Sequence, residues 1–231
     1  MKERPILFSA PMVRALLDGS KSQTRRVVKP QFGFDAEPVE MGATNDRGHQ
    51  ISGHSGMWWD DCAGNPDDSV RCPYGQPGDR LWVRENFDFL PAGGPDQPQA
   101  CEIVYWATGS SEPRTAPCDY NPFIYGREKV RPSIHMPRWA SRITLEITGV
   151  RVERVQDISE SDAVAEGVFK LEYRGQSSYA DYSLTDEEAE TSPMLDSPIS
   201  SYRTLWESIN GPKSWDANPW VWVLAFRRVE E

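Results

Sequence analysis

The segment that restricts the fold most is the run WVWVLAF at residues 220–226. A strand with one face in water alternates apolar and polar side chains, because neighbouring residues point to opposite faces of the sheet. This run is apolar at every position, so both of its faces need a covering of protein. We therefore predict that it forms a central strand of a sheet.

The composition supplies enough apolar material for a packed core around that strand. The chain has 231 residues, of which 38% are hydrophobic, and nine of them are tryptophans. This length fits one large domain or two small ones. Neither an internal repeat nor a linker between two cores is visible, so we predict a single domain over residues 1–231.

The rest of the pattern mixes strands with helices. Short apolar or alternating runs predict strands over PILFSA, RLWVRENFDF, EIVYWAT and ASRITLEITGVRVERVQDI. The last of these runs forms either one long strand or a pair of strands with a bend at Gly149. Helical spacing predicts helices over APMVRALLDGS, ISESDAVAEGV and SPISSYRTLWESING. In the last of these helices, the residues expected to face inward are Tyr202, Leu205, Trp206 and Ile209. The predicted fold class is α+β, with a small mixed sheet curled into a barrel and a few peripheral helices.

Charge and hydropathy limit the partners that this chain can have. Its formal net charge is −10, which argues against wrapping a long duplex, because that mode of binding needs a broad basic surface. Any contact with nucleic acid should be local, or the ligand small. No run of about 18 apolar residues is present, and the first residues lack the apolar core of a secretory signal. We expect a cytoplasmic protein with no membrane partner.

One basic stretch stands apart from this acidic balance. The sequence GSKSQTRRVVKP, residues 19–30, carries Lys21, Arg25, Arg26 and Lys29 and contains no carboxylate. It follows a predicted helix, whose C-terminal dipole favours nearby cations. Lys21, Arg25 and Arg26 therefore either compensate that helix end or form part of a functional site.

A carboxylate in an unfavourable position is the second unusual feature. The helix predicted to start at Ser159, with Asp162 as its capping-box partner, ends at Gly167. Glu166 consequently lies in the last turn, where the helix dipole disfavours a negative charge. Either it is solvated, or it has a specific cationic partner, for which Lys21 is a candidate.

Lys21, Thr24 and Glu166 form a set that can perform chemistry. A hydroxyl nucleophile needs a base, and a lysine serves as one if burial leaves it neutral for part of the time. A carboxylate beside that lysine can carry a proton to a leaving amine. Neither a GxxxxGK[ST] phosphate loop nor a GxSxG elbow is present as a rival motif.

A zinc site is the weaker chemical candidate. His49, His54, Cys62 and Cys72 lie in an irregular region, but their spacing contains no CxxC pair. The alternative is two exposed histidines and two ordinary thiols. We assume no disulfide among the four cysteines, because thiols in a large cytoplasmic chain are usually reduced. No cofactor is expected.

The basic stretch also carries a resemblance to a known family. GSKSQTRR resembles the GxKxxxxR signature of the ASCH domain family, supplied here by Gly19, Lys21 and Arg26. GDRLWVRE resembles the strand that follows in that family, and ISESDAVAEG resembles its next helix. The chain is similar to the larger ASCH-domain proteins that are often met in phages and prophages. The resemblance implies a PUA-like β-barrel with helices around a cleft for a nucleobase or RNA, here with insertions at about 31–77, 90–137 and 168–197.

The resemblance also implies a function. One branch of the family hydrolyses N4-acetylcytidine to cytidine, using a Lys and a Thr of a GxKxxT segment and a Glu of the later helix, which correspond to Lys21, Thr24 and Glu166. We therefore expect an amidohydrolase of N4-acylated cytidine-type nucleosides, with a small nucleoside as its partner. Other members are linked to RNA, so two alternatives remain. The protein is then either a module that binds RNA or a modified base, or a ribonuclease. Substrate contacts are expected from Arg26, Arg25, Ser22, Trp82 and Glu85.

Overall fold

A computed structural model describes residues 1–29, 31, 37–39, 58–60, 72–93, 99–120, 130–173, 175–185, 188 and 194–229. This part of the chain combines strands in several sheets with few helices, which confirms the predicted α+β class. Among these residues the sheets do not close into a barrel. The chain divides into two compact units: the first is Met1–Asp18, Asp79–Glu146 and Arg228–Glu231, and the second is Gly19–Gly78 and Ile147–Arg227. That the chain is a single domain stays a prediction.

Within the described residues most elements are strands, and the α-helices lie near the start of the chain and in its second half. The strands are β1 (Glu3–Leu7), β2 (Gln23–Val27), β3 (Glu37–Val39), β4 (Trp58–Asp60), β5 (Arg80–Arg84), β6 (Phe87–Pro91), β7 (Ala100–Tyr105), β8 (Ser110–Thr115), β9 (Thr144–Arg154), β10 (Lys170–Tyr173), β11 (Gln176–Tyr179) and β12 (Trp220–Val229). The helices are α1 (Ala10–Leu17), α2 (Glu160–Ala165) and α3 (Pro198–Asn210). Short 3₁₀ turns lie at Ser133–His135, Arg138–Ala140 and Val155–Asp157.

The first unit contains the N-terminal strand and helix. β1 pairs in parallel with β5, with Ile6 opposite Val83, and β5 pairs antiparallel with the start of β9, with Leu81 opposite Leu145. All four of these apolar side chains are buried. Helix α1 begins with a proline in its first turn, where the missing N–H is not needed. It buries Met12, Val13 and Leu16, as their helical spacing predicts, whereas Leu17, which belongs to the same predicted face, is half-buried and Ala15 is buried instead.

The run RLWVRENFDF is two strands rather than the single one predicted. It breaks at Glu85 and Asn86, because β5 pairs with β1 and β9 whereas β6 pairs with β7 in a separate antiparallel sheet, β6–β7–β8. Asn86 is bound on both sides of the break: its backbone carbonyl accepts from the Trp106 amide at 3.0 Å, and its side-chain Oδ1 accepts from the Ser133 amide at 2.9 Å. A buried aromatic cluster underlies the second sheet, with the Phe89 ring stacked on that of Trp139 at 5.3 Å.

The second unit contains the strand from which the sequence analysis began. β12 lies between β9 and β2, and its antiparallel pairing with β2 sets Trp222 opposite Arg26 and Leu224 opposite Thr24. Every side chain from Trp220 to Phe226 is buried except the half-buried Ala225. The prediction of a central strand is therefore confirmed. The two-stranded sheets β3–β4 and β10–β11 also belong to this unit.

Two helices complete the second unit. Helix α2 starts as predicted, with the Ser159 hydroxyl accepting a hydrogen bond from the Asp162 amide at 3.1 Å. It packs against β2 and α3. Helix α3 buries the predicted Tyr202, Leu205 and Trp206, but the prediction for Ile209 is wrong: its side chain is 57% exposed. The buried stretch of α3 ends at Trp206, so the last turn of the helix faces solvent.

No helix within the described ranges is long and apolar enough to span a membrane.

Candidate functional site

The predicted pair of Lys21 and Glu166 is in direct contact. The Lys21 Nζ donates to the Glu166 backbone carbonyl at 2.6 Å and to its carboxylate Oε2 at 3.1 Å. Both side chains are almost inaccessible, with 1% and 4% of their surface exposed. Glu166 follows the last residue of α2, so the lysine reaches a helix end where a carboxylate would otherwise be disfavoured.

Backbone hydrogen bonds hold these two segments side by side. The Ser22 amide donates to the carbonyl of Ala165 at 2.9 Å, which ties the start of β2 to the end of α2. The Ser22 carbonyl in turn accepts from the Phe226 amide of β12 at 3.0 Å. The backbone beside Lys21 is therefore fixed to a central strand on one side and to the helix of Glu166 on the other.

The environment of Lys21 makes its amine a weaker base than usual. Burial lowers the pKa of Lys21 from 10.5 to about 8, an effect that the Glu166 carboxylate opposes and that the cationic Arg26 and Arg25 reinforce. A buried charge is costly, and here desolvation outweighs the attraction of a single carboxylate. With a pKa of about 8, the amine is neutral in about one molecule in ten at pH 7.

The Glu166 carboxylate is divided between two cations. Its Oε2 faces Lys21, and its Oε1 accepts a hydrogen bond from Nη1 of Arg25 at 3.0 Å. The side chain of Arg25 is completely buried. Two cations thus offset both the helix dipole and the desolvation of this carboxylate.

Arg25 contacts two further carboxylates beyond Glu166. Its Nη2 lies 3.0 Å from Asp162 Oδ2, and both Nε and Nη2 contact Glu153 Oε1. The guanidinium also lies 5.8 Å from the centre of the Tyr202 ring. Helix-end compensation is therefore the wrong interpretation for Arg25, because the segment GSKSQTRR leads into strand β2 and this arginine is buried among carboxylates from β9 and α2.

An outer group of side chains fixes those carboxylates in turn. Arg151 donates to Glu153 Oε2 at 3.0 Å, to Asp162 Oδ2 at 2.6 Å and to the Gln23 amide oxygen at 3.1 Å. The Gln23 amide nitrogen donates to Asp162 Oδ1 at 2.8 Å. We call the six charged residues of this arrangement the charge cluster: Lys21, Arg25, Arg151, Glu153, Asp162 and Glu166.

Sequence reasoning missed the outer part of the charge cluster, although a local signal was present. Arg151 and Glu153 are two residues apart on a strand, which places them on one face, and so are Gln23 and Arg25. Asp162 and Glu166 are four apart at a helix, which also puts them on one face. Strands β2 and β9 and helix α2 with its C-terminal end each carry two polar residues on one face, and these three faces meet in the structure.

Thr24 is buried in β2, with 1% of its surface exposed. Side chains alternate along a strand, so Thr24 and Arg26 lie on the face of β2 opposite to Gln23 and Arg25. Lys21 precedes the strand, and its charge interacts with both Arg25 and Arg26. Arg26 is half-buried and donates to the Arg25 carbonyl at 3.2 Å, while the Ser22 side chain is exposed.

The other two predicted substrate contacts belong to the first unit. Trp82 is buried in β5, and the guanidinium of Arg84 lies 4.5 Å from its ring centre. Glu85 is bound by Arg142 through two hydrogen bonds, of 2.9 and 3.0 Å. Burial raises the pKa of the Glu85 carboxyl, which Arg142 opposes. The role of these residues in binding substrate stays a prediction.

Three of the four candidate zinc ligands lie outside the described residues. His49, His54 and Cys62 are outside the described residues, and Cys72 is a buried thiol. Among the residues that the structure describes, no group of three or more His, Cys, Asp or Glu side chains is arranged to hold a metal ion.

The charge cluster has the properties of a proton-transfer site. It places an amine whose pKa is about 8 within hydrogen-bond distance of a buried carboxylate. Residues with strongly perturbed proton affinity and a specific charged partner are frequent at functional sites. Comparison with protein-family models, with curated proteins and with solved structures gives no match for this chain.

Proposed function

We propose that this protein is an amidohydrolase that removes an acyl group from the N4 amine of cytidine-type nucleosides, releasing cytidine and acetate from N4-acetylcytidine. The proposal includes membership of the ASCH domain family and a PUA-like barrel. Its sequence support is the GxKxxT segment of Gly19, Lys21 and Thr24.

The observation that carries the proposal is the contact between Lys21 and Glu166. A general base has to be unprotonated for part of the time at the working pH and has to pass on the proton that it takes. Burial brings the pKa of Lys21 to about 8, and the carboxylate that can receive its proton lies 3.1 Å away. An ordinary surface lysine would meet neither condition.

The proposed reaction has two stages. In the first, the Thr24 hydroxyl attacks the acyl carbonyl while neutral Lys21 takes its proton, and the resulting ammonium stabilises the oxyanion. Collapse breaks the bond between the carbonyl carbon and N4, and the proton passes by way of Glu166 to the leaving amine. In the second stage, water hydrolyses the acyl ester of Thr24, so that the hydroxyl is restored and the carboxylic acid is released.

The pairing within the charge cluster favours a small substrate over a polynucleotide. The cluster contains three cations and three carboxylates, and the side chain of Arg25 is wholly buried. Phosphate recognition needs accessible cations, and affinity for RNA through phosphates scales with their number. A neutral nucleoside makes no such demand.

The test is to incubate the purified protein with N4-acetylcytidine and to follow the formation of cytidine by chromatography, with Lys21→Met in parallel. We expect turnover that falls at least about a hundredfold in the variant, the scale usual for the loss of an acid or base. Absence of turnover at every substrate concentration would overturn the proposal. Salt-dependent binding of an oligonucleotide would then favour an RNA-binding module, and cleavage of labelled RNA that Lys21→Met abolishes would favour a ribonuclease.

Two substitutions at Thr24 test its role as the nucleophile. This role needs a direct test because Thr24 lies on the face of β2 opposite to Arg25. Thr24→Val keeps the shape and the β-branch but removes the hydroxyl, so turnover should fall at least about a hundredfold. Thr24→Ser keeps a hydroxyl and should retain measurable turnover. If Thr24→Val turns over normally while Lys21→Met does not, then water rather than Thr24 is the nucleophile.

A further inference from the structure

Arg25 is the most completely enclosed charge of the cluster. Its side chain has no exposed surface, and its three nitrogens contact Glu153, Asp162 and Glu166. A planar guanidinium with five donors suits such a fork-like arrangement, whereas an ammonium group does not. Each of these nitrogens already contacts a carboxylate of the protein itself, which leaves open what the charge of Arg25 does.

We propose that Arg25 is a positioning residue that holds one oxygen of the Glu166 carboxylate, and thereby leaves Lys21 able to release its proton. This inference rests on the proposed function, in which Lys21 acts as the base. It replaces the expectation that Arg25 binds substrate.

The physical argument concerns how much negative charge Lys21 experiences. A carboxylate that faced Lys21 alone would stabilise the ammonium form and would oppose the effect of burial more strongly. Arg25 takes up Oε1 of that carboxylate at 3.0 Å and adds a second positive charge nearby. Both effects favour the neutral amine.

The neighbouring elements supply the remaining charges around this pair. Strand β2 contributes Arg25 and Arg26, helix α2 contributes Asp162, and strand β9 contributes Arg151 and Glu153. Helix α3 contributes Tyr202, whose pKa is raised by burial and by Glu166, so it stays uncharged. Apart from Lys21 and Glu166, three cations thus face two carboxylates, and Arg25 contacts Glu166 directly.

The outer residues keep Arg25 in this orientation. Glu153 and Asp162 hold its far side, and Arg151 and Gln23 hold those two carboxylates. The guanidinium therefore cannot rotate away from Glu166 without breaking several charge-assisted hydrogen bonds. Arg25→Lys would keep the positive charge but would lose the planar set of donors that contacts three carboxylates.

The experiment measures the titration of Lys21 without any substrate. The chain has only six lysines, so the side-chain resonance of Lys21 in carbon-13-labelled protein can be identified by its loss in Lys21→Met. In Arg25→Gln the titration midpoint should rise by about one pH unit, because a neighbouring cation is lost and Glu166 faces Lys21 alone. In Glu153→Gln the midpoint should fall, because a nearby negative charge is removed.

These opposite directions distinguish an electrostatic role from a structural one. Loosening of the fold would move both variants toward the ordinary behaviour of an exposed lysine, and that outcome would overturn the proposal. Arg203→Gln, on the exposed side of α3, is the matched control and should leave the midpoint unchanged. If Arg25→Gln does not fold, Glu153→Gln and Arg25→Lys carry the test, and the midpoint of Arg25→Lys should stay close to that of the natural protein.

Kinetics with N4-acetylcytidine add a second, independent readout. Arg25→Lys should lower kcat about tenfold to a hundredfold, since the geometry of the base is disturbed, and should leave KM unchanged. A rise in KM with unchanged kcat would show that Arg25 binds substrate after all. Failure of all turnover in the natural protein would contradict the proposed function, while the titration of Lys21 would still decide the role of Arg25.

Discussion

Two buried ionic arrangements in this chain are built from the same kinds of residue but differ in their chemistry. In the second unit, the Glu166 carboxylate is divided between the ammonium of Lys21 and the guanidinium of Arg25. In the first unit, the Glu85 carboxylate is bound on both oxygens by the one guanidinium of Arg142. Arg142 in turn lies 4.0 Å from the centre of the Tyr105 ring.

The difference between the two lies in whether a proton can move near neutral pH. An arginine remains protonated at any pH that a protein tolerates, so the Glu85–Arg142 pair offers no exchangeable base. A lysine shifts its pKa readily when buried, and that of Lys21 comes to about 8. A carboxylate bound on both oxygens by one arginine is therefore a pair of fixed charge, whereas a carboxylate shared between an arginine and a lysine includes a group whose charge changes near pH 8.

The largest expected effect tests the structural half of this comparison. Glu85→Gln leaves the buried guanidinium of Arg142 without its counterion, and breaking such a pair costs about 3–5 kcal/mol in the free energy of unfolding. Urea unfolding followed by tryptophan fluorescence measures this loss. The double variant Glu85→Gln with Arg142→Met should recover part of it, because the stranded charge is then absent. A loss below about 1 kcal/mol would place this pair among weak surface-type bridges.

The next effect concerns the pH dependence that Lys21 gives to stability. Between pH 8 and 10.5 the unfolded chain carries the Lys21 proton and the folded protein does not, so the free energy of unfolding rises with pH in that window. The rise amounts to at most about 3 kcal/mol and is absent in Lys21→Met. Unfolding of both proteins at several pH values isolates it, since other groups cancel in the difference. Parallel curves over the window would show that Lys21 titrates normally.

The smallest effect tests the support of Glu166 by α2. Ser159→Ala removes the hydroxyl that caps the first turn of that helix, at a cost of about 1 kcal/mol in the free energy of unfolding. Ser159→Asp keeps an acceptor at the cap and should restore stability. Thermal unfolding of the three proteins compares them. Equal stability of all three would show that packing alone holds α2.

The elements that could be predicted from the sequence are those that a local pattern of side chains determines. The apolar run of β12, the capping serine of α2 and the buried face of α1 follow from local patterns alone. The break at Glu85 and Asn86 was missed, because alternation continues across it while the hydrogen-bond partners of the strand change. Ile209 was misplaced because helical spacing does not reveal where the covering surface ends.

The candidate site was predictable only in part, for a related reason. The misplaced charge of Glu166 indicated a cationic partner, and Lys21 and Arg25 both contact this carboxylate. The burial of Arg25 could not be inferred from its neighbours in sequence, because its carboxylates come from residues up to 141 positions away. A cation-rich segment is usually exposed, and only the fold shows which cations are enclosed.

One hydrogen bond described above also reports on motion. The Ser22 amide donates to the Ala165 carbonyl, at the point where the six-residue helix α2 meets β2. A helix of this length has little stability of its own and persists through its contacts. Deuterium therefore replaces the Ser22 amide proton only when α2 separates from β2, which also pulls Glu166 away from Lys21. The exchange rate of that single proton measures how often α2 leaves β2 and the contact between Lys21 and Glu166 opens.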